Sequence, residues 1–170
     1  MLLIIIGGIG FFTWEDIYLH KFHFKHYHMQ SKVILTTTLC LILLPAVFFF
    51  FQDYGNLSGI HRLLASLFQA VTPRTAGFNT TDLSMLTGAS KAMMILLMLI
   101  GGSPSSTAGG MKTTTFALLL LNVLATFQSC DDVTAFGRRI DTSVIKNATT
   151  IAMMYFILFF AGGMTISVYE

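Results

Sequence analysis

The sequence predicts an all-α membrane protein in which a helix, a re-entrant pore-type loop and a second, broken helix follow one another. Three observations predict it. Of 170 residues, 54% are hydrophobic and only 11% are charged, whereas a soluble domain carries about 25% charged residues. Two apolar runs, 33–51 and 151–168, approach the roughly 20 residues that a spanning helix needs. Between them, the apolar stretches 63–71 and 92–100 are each only half a span long and end in segments rich in Gly, Pro, Ser and Thr.

In chain order, 1–12 is apolar and too short to cross, and it reads as the tail of a membrane helix. It lacks the basic front of a secretory signal. Trp14, Glu15 and Asp16 mark an interface, and an aromatic and basic connector runs on to Lys32. Pro45 is expected to kink the first full span. Residues 52–62 are polar and turn-like. A crossing at 33–51 and another at 92–127 place Lys21, Lys25, Lys32, Arg138, Arg139 and Lys146 on one side. Arg62, Arg74 and Lys91 fall on the other. The richer side is assigned to the cytoplasm by the positive-inside rule.

Several residue sets invite other chemistry. His20, His23, His26 and His28 do not converge on one helical face, so an interfacial connector is the expectation rather than a metal site. Cys40 and Cys130 are too few for a disulfide framework. Asn56, Asn79 and Asn147 begin N-x-S/T triplets, a pattern common by chance. Phe48 to Phe51 reads as lipid-facing or packing surface. The net charge of +2 and its dispersed basic residues argue against a nucleic-acid partner.

Two interruptions carry the functional argument. The first, TPRTAGFNTT at 72–81, follows the half-length helix. Open backbone at membrane depth is tolerated only where it is buried in protein or lines water. A Thr-x-Gly-aromatic strand after a short helix presents a row of carbonyls that can replace a cation's hydration shell. Gly77 would let its carbonyl turn to the pore axis. An ordinary extracellular turn is the other reading of these residues.

The second interruption, 101–115, sets Gly, Ser, Pro and Thr in an apolar crossing and then adds Lys112. A charge at bilayer depth costs about 2.5–3.5 kcal/mol on insertion scales. The loop is therefore expected in a water-filled path, the other reading being a polar hairpin between interfacial helices. Met111 stands where a nucleotide-binding P-loop needs Gly before its Lys, so phosphate binding is not expected. An HExxH zinc site and a nucleophile elbow are both missing, and no enzymatic activity is expected.

TPRTAGFNTTDL followed by IGGSPSSTAGGMKTTTFALL, with WED, LTTT and FGRRI around them, resembles the Trk/Ktr/HKT superfamily of potassium transporters. The likeness is nearest to the membrane subunit of bacterial Ktr and Trk systems. The resemblance implies four repeats of helix, re-entrant pore loop and helix. Residues 1–13 would end the second helix of repeat two, 14–32 and 128–150 would be cytoplasmic connectors, 33–127 a complete repeat three, and 151–170 the first helix of repeat four.

Thr75, Ala76, Gly77, Phe78 and Asn79 would then form the third selectivity-filter strand. Gly101, Gly102, Ser103, Pro104, Ser105, Ser106, Thr107, Ala108, Gly109, Gly110, Lys112 and Thr113 would lie in an intramembrane loop that gates conduction. Ser105 stands where Gly is common, and Met111 where Ile is common. The ion implied is potassium, with sodium as the alternative. No metal is expected beyond potassium at the filter, and no covalent cofactor.

The implied partners are the remaining repeats, a second copy in a homodimer, a cytoplasmic nucleotide-binding regulatory subunit and membrane lipid. The setting is a bacterial inner membrane, crossed several times. A secondary ion-coupled transporter is the alternative, and a non-conducting truncated fragment is another, since one filter strand of four is present.

Overall fold

The computed structural model describes residues 1–170 apart from Phe22, Asn56, Thr75, Thr80, Thr81, Asp131 and Glu170, and of Met85 and Tyr169 the backbone alone. The helices are α1 (Leu2–Ile9), α2 (Phe11–His20), α3 (Met29–Gln52), α4 (Gly59–Val71), α5 (Gly88–Leu99), α6 (Thr113–Phe127) and α7 (Thr142–Tyr169). A short hairpin joins β1 (Thr134–Ala135) to β2 (Arg138–Arg139). The chain forms two compact units, Met1–Thr114 and Thr115–Glu170.

Among the described residues, α3 and α7 are long and apolar enough to cross a membrane, and α1 with α2 adds a third crossing if the bent pair counts as one. Leu44, Val47 and Phe51 on α3, and Leu158, Phe160 and Val168 on α7, are exposed, which a hydrocarbon solvent accommodates and water does not. Both helices start ahead of their apolar runs, α3 at Met29 and α7 at Thr142. Ser31, Lys32, Lys146 and Asn147 are carried on the helix where it leaves the apolar layer. Hydropathy marks the lipid-embedded part of a helix, whereas hydrogen bonding sets its end.

In the first unit, α4 packs antiparallel against α3. Arg62 near the start of α4 donates from Nε and Nη2 to the carbonyl of Phe50, at 2.8 and 2.6 Å. Its guanidinium also lies 4.0 Å from the centroid of the Phe50 ring, a cation–π contact. At the other end of α4, Val71 shares a small cavity with Thr38, partway along α3. At 1.5 Å per residue α4 is only about 20 Å long. Its apolar side packs into a core of Ala46, Phe49, Tyr54, Ala70, Leu86, Met94 and Leu97.

The chain then returns to the end of α3 from which α4 departed. Asp53, just past α3, accepts from the Thr87 N–H at 3.1 Å and from the Ser90 hydroxyl. Thr87 is the N-cap of α5, its hydroxyl oxygen accepting from the Ser90 N–H, which satisfies a donor that the helix cannot. One carboxylate thus fixes where the excursion of residues 54–86 ends.

The break between α1 and α2 falls at Gly10, with φ +88°, and turns the helix axis by 92°. Asp16 on α2 ties that helix to the start of α3. It accepts from the His28 N–H at 3.1 Å, meets His28 Nδ1 at 2.6 Å, and accepts from the Ser31 hydroxyl. In the second unit, Phe136 and Gly137 both have positive φ, as a two-residue type I′ hairpin turn requires. Val133, Ala135 and Ile140 are buried beneath it. The exposed Asp132–Arg139 pair at 2.8 Å contributes about 0–1 kcal/mol.

Asp16 is buried, and it accepts from the His28 N–H and the Ser31 hydroxyl. Asp16→Asn weakens these bonds and should cost roughly 1–3 kcal/mol. Thermal unfolding of variant and parent in detergent checks this, and equal melting would contradict the tie between α2 and α3.

Candidate functional site

The C-terminal end of α4 runs into a tight turn organised by Thr72, which is 1% exposed. Its N–H continues the helix to the Phe68 carbonyl at 2.9 Å, and its own carbonyl accepts from the Gly77 N–H at 2.9 Å. Its hydroxyl donates to the Phe78 carbonyl at 2.6 Å. One threonine therefore holds both flanks of the turn. Gly77 has φ +67°, and a Cβ built there would meet nothing within 4 Å. The demand for glycine at this position is torsional and not steric.

Of the five predicted strand residues, Thr75 lies outside the described ones. Ala76 is half-buried, and Gly77, Phe78 and Asn79 are exposed. One lone pair of the Phe78 carbonyl is taken by Thr72.

Residues 101–112 form a loop closed at its neck. The Gly101 N–H donates to the Met111 carbonyl at 2.8 Å, Met111 N–H to Leu99 at 3.2 Å, and Thr113 N–H to Gly102 at 3.1 Å. The buried hydroxyls of Ser103 and Thr113 lie 3.1 Å apart. Inside the loop, the Ser106 hydroxyl donates to the Ser103 carbonyl at 2.6 Å, and the Lys112 ammonium to the Ala108 carbonyl at 2.8 Å. Lys112 is half-buried and folded back on its own loop. The neck is tight: a Cβ on Gly101 would lie 1.6 Å from the Gly109 carbonyl oxygen. Ser105 has φ +58°, a left-handed conformation that costs a non-glycine residue about 1–3 kcal/mol.

The two segments meet below α4. Arg74 is buried, and its Nη2 reaches the Gly101 carbonyl at 3.4 Å, a long bond. Thr38, Val71, Arg74, Gly102 and Ala108, with Gly8 of α1, line a cavity of about 20 Å³, room for a single water. The loop also rests on the break between α1 and α2. Ser103 N–H donates to the Gly8 carbonyl at 2.9 Å, and Phe11 N–H to the Ser105 carbonyl at 3.1 Å.

The structure thus brings the predicted loop residues together and sets them beside the end of α4. Sequence reasoning missed Thr72, Arg74, Gly8 and Gly10 as members of this arrangement. Thr72 and Arg74 stood inside the quoted motif, whereas Gly8 and Gly10 carried no local signal. Three of the histidines lie together, His26 making ring contacts with His20 and His23, while His28 is held by Asp16. Among the described residues no three His, Cys, Asp or Glu side chains are placed to hold a metal.

A family model described as TrkH, cation transport protein, matches residues 1–169. The chain is 34% identical over 174 residues to Ktr system potassium uptake protein B of Bacillus subtilis, covering 99% of this chain and 39% of that protein. It is 36% identical over 173 residues to potassium/sodium uptake protein NtpJ of Enterococcus hirae, covering 99% of this chain and 38% of that one. With Ktr system potassium uptake protein B of Vibrio alginolyticus it shares 34% identity over 161 residues, 89% of this chain and 35% of that one. The chain spans less than two-fifths of the length of each of these relatives.

The neck geometry separates two glycines of one loop. Gly101→Ala drives a methyl into the Gly109 carbonyl and should destabilise the protein by roughly 1–3 kcal/mol or more. Gly109→Ala places its Cβ in open space and should stay within about 0.5 kcal/mol of the parent. Thermal melts of the two variants in a full-length transporter check the contrast, and equal melts would contradict the loop's packing.

Proposed function

The chain belongs to the TrkH family of cation transport proteins, and on that premise we propose that it serves potassium uptake as one pore module of a Ktr/Trk-type transporter. A membrane protein of this family moves an ion rather than transforming a substrate. Entry of one positive charge gains about 2.3 kcal/mol per 100 mV of inside-negative potential. The names of the relatives support potassium as the ion, and the name of the Enterococcus protein keeps sodium as the alternative.

The observation that carries the reading is the path of residues 54–87. α4 descends beside α3, stops near Thr38, and the chain climbs back to Asp53. A helix of about 20 Å that turns back does not cross a layer of about 30 Å, and this supports a re-entrant pore segment. Ala76 to Asn79, with Thr75, are then the filter strand, and Gly77 supplies the torsion that aims carbonyls at one axis. Residues 101–113 are the gate. Its neck lies against the end of α4 through Arg74, and Lys112 adds a fixed charge to the ion path. The remaining repeats, a second membrane subunit and a cytoplasmic nucleotide-binding subunit complete the assembly in a bacterial inner membrane, crossed several times.

Two experiments in a full-length transporter test this reading. Gly77→Ser forces an L side chain to φ +67° or swings the carbonyl away, with a strain of about 1–3 kcal/mol. It should lower the uptake of rubidium relative to sodium more than Ala76→Ser does, and an unchanged ratio would remove Gly77 from the filter. Lys112→Ala removes both the charge and the bond to Ala108. It should raise flux and weaken regulation, as should shortening 102–110. Well-expressed variants with parental flux would refute the gate.

A further inference from the structure

We propose that the break between α1 and α2 is a latch that holds the loop of residues 101–112 in its closed position, with Gly8, Gly10 and Phe11 as its positioning residues. The inference rests on the reading of that loop as a gate. A helix end leaves carbonyls and N–H groups without intrahelical partners. A single break within an apolar helix exposes both kinds side by side. Here both are used on the loop: the Gly8 carbonyl accepts from Ser103 N–H at 2.9 Å, and the Phe11 N–H donates to the Ser105 carbonyl at 3.1 Å. The loop thus offers a donor to the last turn of α1 and an acceptor to the first turn of α2.

The fit at the break is close. A Cβ on Gly10 would lie 2.4 Å from the Pro104 carbonyl oxygen, so a side chain there would push the loop away. The left-handed backbone of Ser105 belongs to the same contact, since Ser105 supplies the acceptor for Phe11. The far part of α2 is fixed to α3 by Asp16. A change in the 92° bend moves the donor and the acceptor relative to one another, and the loop cannot keep both bonds. The bend and the closed loop are therefore one mechanical state.

Phe11 allows a clean test, because its side chain is exposed and only its N–H is used. It is the first residue of α2, where proline is tolerated and its missing N–H leaves the helix intact. Phe11→Pro deletes the latch bond, whereas Phe11→Ala keeps it. A reporter of the docked loop comes from Gly7, whose Cβ would lie 3.5 Å from Thr107 Oγ1. That oxygen marks where the sulfur of a cysteine at 107 would stand, close beside a cysteine at 7. The experiment uses a full-length transporter stripped of other cysteines, carrying Gly7→Cys with Thr107→Cys.

Oxidation should cross-link the pair and abolish most rubidium uptake, and a reducing agent should restore it. Phe11→Pro should slow cross-linking and raise the uptake of the reduced protein severalfold, while Phe11→Ala matches the parent in both. If Phe11→Pro and Phe11→Ala behave alike, the latch is overturned. If a folded, transporting protein never cross-links, the docking of loop on break is overturned while the gate reading stands on Lys112. If the cross-link forms and uptake is unchanged, the loop is no gate, and the latch falls with that reading.

Discussion

A peptide group in hydrocarbon has no water to bind, so each helix that stops inside a membrane must find partners for its free ends within the protein. This chain stops its helices repeatedly, and the stops serve one another. The end of α1 and the start of α2 bond to the loop after α5. The end of α4 is closed on itself by Thr72, which takes up Gly77 and Phe78. The neck of the loop pairs Gly101 with Met111 and Gly102 with Thr113. Remove one break and its neighbour is left with unsatisfied groups worth about 1–3 kcal/mol each. The small residues follow from this, because backbone can bond to backbone only where no side chain holds the two apart.

That dependence explains which parts were legible in the sequence. The long helices showed through composition, because a lipid-facing surface needs apolar residues whatever lies behind it. The turn at Gly77 and the loop at 101–110 showed because polar and small residues in apolar surroundings are costly unless used. Gly10 did not show. Its requirement comes from Pro104, far along the chain, and a glycine among isoleucines looks the same whether or not a carbonyl lies 2.4 Å from its missing Cβ. The tie from Asp16 to His28 and Ser31 was hidden for a related reason. It spans a helix end and a turn, so no helical or strand spacing reports it. The hairpin at 134–139 was locally encoded by Phe136-Gly137, but the connector was weighed by its charges and not by its turn residues.

Resemblance and structure also meet at a single position from different directions. The resemblance implies glycine where this chain has Ser105, and among the described residues Ser105 is a non-glycine residue with positive φ. The backbone has kept the shape that glycine would allow, and the serine bears the strain. Its carbonyl is the one that Phe11 holds. A hydrogen bond at that point offsets part of a torsional cost that the local sequence would otherwise relax by letting the loop move.

Lys112 shows how the charge and the mechanics of the proposed gate become one contact. Its ammonium is bonded to the Ala108 carbonyl, four residues back in the same loop. While that bond holds, the loop is folded on itself and a positive charge sits in the path proposed for a cation. On that proposal, a cation approaching the loop would meet repulsion from the ammonium and find the Ala108 carbonyl already engaged. On the proposed gate, opening the loop would break that bond, release the carbonyl and swing the charge away on a flexible stem. Blocking and releasing the ion then need no separate devices, since moving one side chain changes both the field and the available acceptors. An arginine would serve less well, because its rigid fork of donors would grip several carbonyls at once and hold the loop closed.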